Sequence, residues 1–520
     1  MDVRRLGRLL FTVSLAFASL GLPARADDDA TALLAKHKAY VGWELGDGSI
    51  KTLDKKGAIA RRGKDGARVD TYSTHEADVG ILYRLDETSV KTGSGFSQGF
   101  NGNKFWYASS NGFVVPNVGE SRGDILAQRV VFAEATTKLQ GTVVRHDTID
   151  GTPVTVVREL LPSKVPLDLF VDPQTGAYKK YVYDPEGASP TKVDIDAYAD
   201  ALGGKKVVST WHYEDSPNTH YYDTIAANQT FPDSALSPPP PTAKWIFATG
   251  KTIPLEVTPQ AIYVLATFNG VQGRFVLDTG AGAIALTDAF ADRANVQRVQ
   301  AMEFSGLTGS KRGSYAKVKT ISFADGSELD NVRVTTGISM PDRIDGLLGF
   351  DFLAGAIADF DLDKGQLTLY DPTASAPNEG QGVVVAPDLA TNQPVIPVKL
   401  EGKVPSQALL DSGAETSVLL SHTLVSKLKV IIKDQRFGDE TPELATTQYA
   451  VGVSGNIEAL KCGQIESVNI GPINYSNTGV CFTNGLEPGG SLLGIHFIEK
   501  FNLTFDYPDG KIIMQPRKDI

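Results

Sequence analysis

Gly273-Arg274-Phe275-Val276-Leu277-Asp278-Thr279-Gly280-Ala281 and Gln407-Ala408-Leu409-Leu410-Asp411-Ser412-Gly413-Ala414 are two versions of one phrase. Each is an apolar run that ends in Asp-[Thr/Ser]-Gly-Ala. An apolar run of this length, stopped by a turn-former, reads as a buried strand entering a tight loop. The two copies stay in step downstream. Gly346-Leu347-Leu348-Gly349-Phe350-Asp351-Phe352 answers to Ser491-Leu492-Leu493-Gly494-Ile495-His496-Phe497. Eleven residues after Gly349 and Gly494 come Phe360-Asp361 and Phe505-Asp506, and sixteen after each comes a turn glycine, Gly365 or Gly510. A lone Asp-x-Gly is ordinarily a surface turn. Two of them, each closing an apolar strand and each followed in register by Leu-Leu-Gly, mark an internal repeat of about 120–140 residues, a small β-lobe in duplicate.

These motifs resemble the aspartic proteases. The single-lobe size and the alanine after the glycine are similar to the retropepsin branch, here with both lobes in one chain over Pro254–Pro516. The resemblance implies a catalytic pair, Asp278 and Asp411, with no cofactor and no metal. Two carboxyls in hydrogen-bond reach can activate a water and polarise a carbonyl, and like charges so close share one proton; the dyad is a standard example of this effect. It also implies loop support. Thr279 and Ser412 are expected to bond across the pseudo-two-fold axis, Gly280 and Gly413 to permit the tight turn, and Gly349 and Gly494 to allow packing behind it. Glu415, two places after the second motif glycine, fits the retropepsin pattern, whereas Gly282 in the first copy does not. Leu307-Thr308-Gly309-Ser310 and Val451-Gly452-Val453-Ser454-Gly455 are the candidate flap tips. Neither Tyr315 nor Tyr449 can be assigned as a flap tyrosine.

Outward from the repeat, Ser237-Pro238-Pro239-Pro240-Pro241-Thr242 cannot sit inside a sheet or helix and marks a boundary. The expected organisation is a signal peptide at 1–26, a β domain at 27–236, a Pro-rich linker at 237–243, lobe 1 at 244–375 and lobe 2 at 376–520. In the β domain, Ala30–Tyr40 has helical spacing after a run of Asp. Short alternating segments follow at Val154–Arg158, Leu167–Val171, Tyr178–Tyr183, Lys205–Tyr213 and Thr219–Asp223, with a turn at Asp172-Pro173-Gln174-Thr175-Gly176. This strand-rich stretch resembles the LolA-like domains, which implies a curved antiparallel sheet around a helix that can shelter an acyl chain. The fold class is therefore mainly β: a LolA-like sheet, then two acid-protease lobes. The first domain carries no evident acid–base or metal cluster, and a fragment beginning near Lys244 is expected to fold without it.

Composition sets the remaining bounds. A net charge of −11 and a pI of about 5.3 argue against a nucleic-acid partner. Arg4, Arg5 and Arg8, an apolar run from Leu9 to Leu22 and Ala24-Arg25-Ala26 read as an export signal. Its removal takes the net charge from −11 to −14 and leaves no expected membrane span, so a soluble protein of the periplasm or exterior is expected. Two cysteines, Cys462 and Cys481, exclude a four-cysteine zinc site, and an oxidising compartment would let them pair. His212 and His220 have no third ligand at metal spacing and read as strand surface, and His496 as packing. The expected activity is aspartic-type endopeptidase action on a peptide or protein, by a monomer, since one chain brings both carboxyls. The alternatives are restricted processing of a single partner, or a peptide- or lipid-binding protein built on an inactive protease fold.

Overall fold

A computed structural model describes residues 22–517 except 64, 94, 119, 135–140, 162–164, 186–189, 215, 307–308, 429–445, 453 and 488. Most of the expected export signal therefore lies outside the described residues. Among those described, no helix is long and apolar enough to cross a membrane.

The N-terminal domain is one 13-stranded sheet built from two antiparallel meanders. The first strand of the first meander, Thr52–Arg62, pairs with the last of the second, Asn218–Ala227, so the two halves form a single sheet. Two helices pack on it: α1 (Leu22–Val41) and α2 (Glu120–Phe132), which links the meanders. Ala127, Val131, Leu169, Tyr181 and Trp211 share a core with Ala30 of α1. The strands Tyr178–Tyr183 and Lys205–Tyr213 fall where alternation placed them. The turn Asp172–Gly176, which leads into Tyr178–Tyr183, docks on α1, and a Cβ on Gly176 (φ 87°) would lie 2.6 Å from Lys36 backbone. Helix α2 was not anticipated. Its Gly123 sits where a Cβ would strike the Tyr183 hydroxyl, a close approach that outweighs the low helix propensity of glycine. This is the helix-bearing curved sheet that the LolA-like resemblance implied.

The two lobes repeat one plan. A hairpin, Ile262–Phe268 with Val271–Leu277, enters the first Asp loop, and Val395–Leu400 with Val404–Leu410 enters the second. In each lobe the Leu-Leu-Gly strand runs parallel to the motif strand, with Leu277 opposite Leu348 and Leu410 opposite Leu493. A one-turn helix follows, then a hairpin at a positive-φ glycine, Gly365 (62°) or Gly510 (65°). These terminal hairpins meet across the lobes. Ile357–Asp361 pairs antiparallel with Phe501–Asp506, and Phe360 and Phe505 contact edge to face at 5.1 Å. The lobes therefore share a sheet and one hydrophobic core.

The N-terminal domain does not stand apart from that core. Tyr107, Phe113 and Val115 belong to the same cluster as Trp245 and Phe352. The Pro-rich segment is a packed tether: Pro241 Cα would lie 2.5 Å from a Cβ on Gly112. Buried Asn111 ties three pieces together. Its side chain bonds Arg333 backbone at both ends (3.0 and 2.8 Å), and its carbonyl accepts from the amides of Thr242 and Ala243. This packing argues against the expectation that a fragment beginning near Lys244 folds unaided, because removing the domain would uncover lobe 1 at Phe352 and Asp351.

Candidate active site

The two Asp loops meet on the pseudo-two-fold axis. Each hydroxyl neighbour bridges to the opposite loop. Thr279 Oγ1 donates to Leu410 O at 2.6 Å and accepts from Ser412 N at 3.0 Å. Ser412 Oγ donates to Leu277 O at 2.7 Å and accepts from Thr279 N at 3.0 Å. Both residues are sealed at 1% exposure, so none of these four bonds competes with water. The motif glycines are fixed by contact rather than by turn conformation. A Cβ on Gly280 would lie 2.3 Å from Asp411 Cγ, and one on Gly413 would lie 2.4 Å from Asp278 Cγ. Each loop thus needs its glycine so that the other loop's carboxyl can approach. Gly349 and Gly494 serve from behind: a Cβ there would fall 2.3 Å from Ala281 O and 2.4 Å from Thr416 O.

The carboxyls of Asp278 and Asp411 are hydrogen-bonded to each other. Backbone amides aim them: Ala281 N donates to Asp278 Oδ1 at 3.0 Å and Gly413 N to Asp411 Oδ1 at 2.9 Å. Burial, the charge of Asp411 and the bond to Asp411 hold Asp278 well above the usual carboxylate range. Burial also raises Asp411, but the bond to Asp278 and those from the Gly413 and Ala414 amides offset part of that rise. The pair therefore shares one proton between its two titrations, which belong to the pair and not to either residue. Such a pair can take a proton from a water and give one to a carbonyl oxygen.

The described parts of both candidate flaps lie at hairpin ends. Gly309–Ser310 closes the hairpin of Gln297–Gly306 with Gly309–Phe323, and Ser454–Gly455 lies between Thr446–Val451 and Ile457–Ile470. Leu307, Thr308 and Val453 lie outside the described residues. The tips approach one another, since a Cβ on Gly309 would lie 3.1 Å from Asn456 Nδ2. Tyr315 lies on the strand Gly309–Phe323, within electrostatic reach of Tyr72 in the N-terminal domain. Glu415 is exposed, and Gly282 lies against Asn392 of the interlobe segment. In that segment Gln393 Nε2 donates to Gly280 O at 2.5 Å, a support the sequence did not signal because the two residues are 113 positions apart.

The remaining candidates lie elsewhere. His212 pairs with Asp196 at 2.9 Å, and His220 stacks on Trp211 at 3.7 Å. Asp351 and His496 hold equivalent places in the repeat but do different work. Asp351 is buried against Ser109 Oγ (3.1 Å) and Asn111 of the N-terminal domain, while His496 stays half-buried in lobe 2. Cys462 and Cys481, directly opposed on paired strands, form a disulfide.

Comparison with known families agrees with this geometry. Residues 264–355 match the family described as "gag-polyprotein putative aspartyl protease", and residues 396–497 match "Aspartyl protease". Two stretches of the chain, in tandem, are thus similar to aspartyl protease families. The first match ends just past the one-turn helix of lobe 1 and the second at the equivalent helix of lobe 2, so each covers one Asp loop with its Leu-Leu-Gly. No curated protein matches the chain. Among solved structures, a DUF1329 family protein from Desulfovibrio piger is 9% identical over 41% of this chain and 97% of its own, with a TM-score of 0.29.

Proposed function

We propose that the tandem protease domains form one aspartic-type endopeptidase site, with Asp278 and Asp411 as its catalytic pair. The observation that carries this reading is the reciprocal Thr279–Ser412 bonding around two mutually hydrogen-bonded carboxyls. The ionised member of the pair takes a proton from a water held between the two carboxyls. The protonated member gives its proton to the oxygen of the scissile carbonyl, and the water oxygen adds to the carbon. Collapse of the tetrahedral species then passes a proton to the departing amine and restores the singly protonated pair. The substrate is a peptide or an extended protein segment, which the two hairpin tips would cover. The shared sheet and core of the lobes support a monomer as the active unit. Export fits the disulfide and the basic-then-apolar start of the sequence.

The test is a peptide-library digest by the wild-type chain and by Asp278→Asn and Asp411→Asn. Each substitution removes either the acid or the base, so each variant should lose at least about a hundredfold in rate with an unchanged fold. Retention of most activity in either variant would refute the dyad.

A further inference from the structure

Between α2 and the N-terminal sheet lies a cavity of about 570 Å³ that the dyad chemistry does not use. Its size is that of a small-ligand or side-chain site. Its walls are aromatic, with Tyr83, Trp211, Tyr213 and Tyr222 among them, and they carry three carboxyls, Asp124, Glu87 and Glu76. We propose that this cavity binds a basic segment of a polypeptide, with a lysine or arginine side chain against Asp124, Tyr213 and Glu87.

Several of its polar groups lack partners. Asp124 Oδ1 is buried without a hydrogen bond, while its other oxygen accepts from Gln128 at 3.0 Å. Tyr83 and Asn117 are 3% and 2% exposed, yet the tyrosine hydroxyl and both amide atoms of Asn117 are unpartnered, as is Trp211 Nε1. Groups so buried cost free energy until something bonds them. An acyl chain would leave all of them unmade, which argues against the lipid occupant. An ammonium or guanidinium group brings N–H donors for Asp124 Oδ1 and the acceptors beside it, and attraction to aromatic faces adds to the binding. A free amine would still leave Asn117 Nδ2 and Trp211 Nε1 without acceptors, whereas the carbonyls of a peptide backbone supply them.

Charge supports the same occupant. Among the described lining residues the one cation is Arg129, which Asp78 at 2.5 Å and Glu76 at 3.3 Å engage through Nη1 while its Nε and Nη2 lack partners that peptide carbonyls can supply, and Lys55 behind them bonds the same two carboxylates. That group is neutral as a whole and leaves Asp124 and Glu87 without a counter-charge. Burial pushes Asp124 up to about 6, and burial with the charge of Glu76 pushes Glu87 up to about 7. Asp124 faces Tyr83, Tyr181 and Tyr213, while Glu87 faces Glu76, Tyr72, Tyr107, Tyr213 and Tyr222. His220, also on the wall, is held neutral by burial. The nearness of the cavity to the interlobe segment that supports the first Asp loop favours a peptide over a free metabolite. Ala390 closes one side of the cavity, and three residues on Gln393 holds the carbonyl of Gly280.

Calorimetric titration of the full chain carrying Asp278→Asn, so that no probe is consumed, tests the proposal independently of hydrolysis. The probes are acetyl-Gly-Gly-Lys-Gly-Gly-amide, the same peptide with norleucine for lysine, n-butylammonium and dodecanoate. The lysine peptide should bind at pH 7.5 at least about thirtyfold more tightly than the norleucine peptide, the factor expected when a buried charge pair loses one member. Asp124→Asn and Glu87→Gln should each weaken it to a similar degree. Affinity should fall between pH 7.5 and 5.5 as the carboxyls take up protons that the cation must displace. Equal binding of the two peptides, or no effect of either carboxyl variant, would overturn the proposal. Butylammonium binding as tightly as the peptide would transfer the site to small amines, and dodecanoate binding in place of the peptide would transfer it to lipids; either result defeats the peptide assignment.

Discussion

Replacing Thr279 by Val removes a single hydroxyl and keeps the branched shape, so its effect isolates the bonds that join the two Asp loops. That hydroxyl donates to Leu410 O and accepts from Ser412 N, in a setting where both motif hydroxyl residues are 1% exposed. Water cannot replace either bond. A buried group left unsatisfied costs about 1–3 kcal/mol, so the two together cost about 2–6 kcal/mol. Near the middle of that range, and at about 2–4 °C per kcal/mol for a unit of about 250 residues, the unfolding midpoint should drop by roughly 8–16 °C. Activity should fall further than occupancy of the fold explains. The carboxyl of Asp278 is held partly by the backbone that Thr279 anchors, and a misplacement of about 1 Å is worth about a hundredfold in rate. Thr279→Ser is the control, since it keeps the hydroxyl and loses only a methyl group, at about 1 kcal/mol. Urea unfolding and single-turnover peptide cleavage on the three proteins decide the matter. If Thr279→Val is as stable and as active as Thr279→Ser, the bonds between the loops do not hold the site together.

Three further outcomes follow from the same geometry. Asn111→Ala should destabilise the chain by about 2–4 kcal/mol, because it strips both bonds to the Arg333 backbone from a sealed position; calorimetric melting checks this. A fragment beginning at Lys244 should aggregate or bind a hydrophobic dye, because Tyr107, Phe113 and Val115 leave the shared core, and a monomeric, fully active fragment would contradict that. Ala281→Ser should move the acidic limb of the pH–rate profile downward, since an added donor near Asp278 favours the ionised carboxyl. An unchanged or raised limb would show that the hydroxyl does not reach it.

The repeat was legible because its signal is local. Strand, Asp loop and Leu-Leu-Gly all lie within continuous stretches, and the shared sheet of Ile357–Asp361 with Phe501–Asp506 falls where Phe-Asp recurs at the same offset. The alternating strands of the N-terminal domain were legible for the same reason. Features made by contacts distant in sequence left no such trace. Asn111 meets Arg333 across 222 positions, and Gln393 meets Gly280 across 113. Helix α2 escaped notice because Gly123 interrupts its pattern, and the reason for that glycine is the hydroxyl of Tyr183, 60 positions on. The Pro-rich run was read correctly as neither strand nor helix, but its composition could not show that Gly112 and Asn111 pin it down.

The two lobes have diverged where symmetry no longer constrains them, and Asp351 shows the consequence. Its counterpart in the repeat, His496, is half-buried, whereas Asp351 is sealed under Ser109 and Asn111 at 2% exposure. Burial pushes Asp351 up to about 6, although the bonds from Asn111 and Ser109 favour its anion. The folded pKa lies above the unfolded one, so the folded state binds the proton more tightly. Stability should therefore rise as pH falls from 7.5 through about 6, and the gain should be complete near the unfolded value of about 4. A displacement of about two pK units corresponds to about 3 kcal/mol at most. Asp124, Glu87 and Glu159, raised to about 6, 7 and 7, act in the same direction, so the wild-type slope is shared. Asp351→Asn keeps the size and the capacity to bond Ser109 and Asn111 while abolishing the charge. Its melting temperature should match or exceed wild type at pH 7.5 and lose that advantage by pH 5, so the difference between the two proteins isolates this one carboxyl. A variant that melts lower by the same amount at both pH values would mean that the carboxylate, not the carboxylic acid, holds the N-terminal domain on lobe 1.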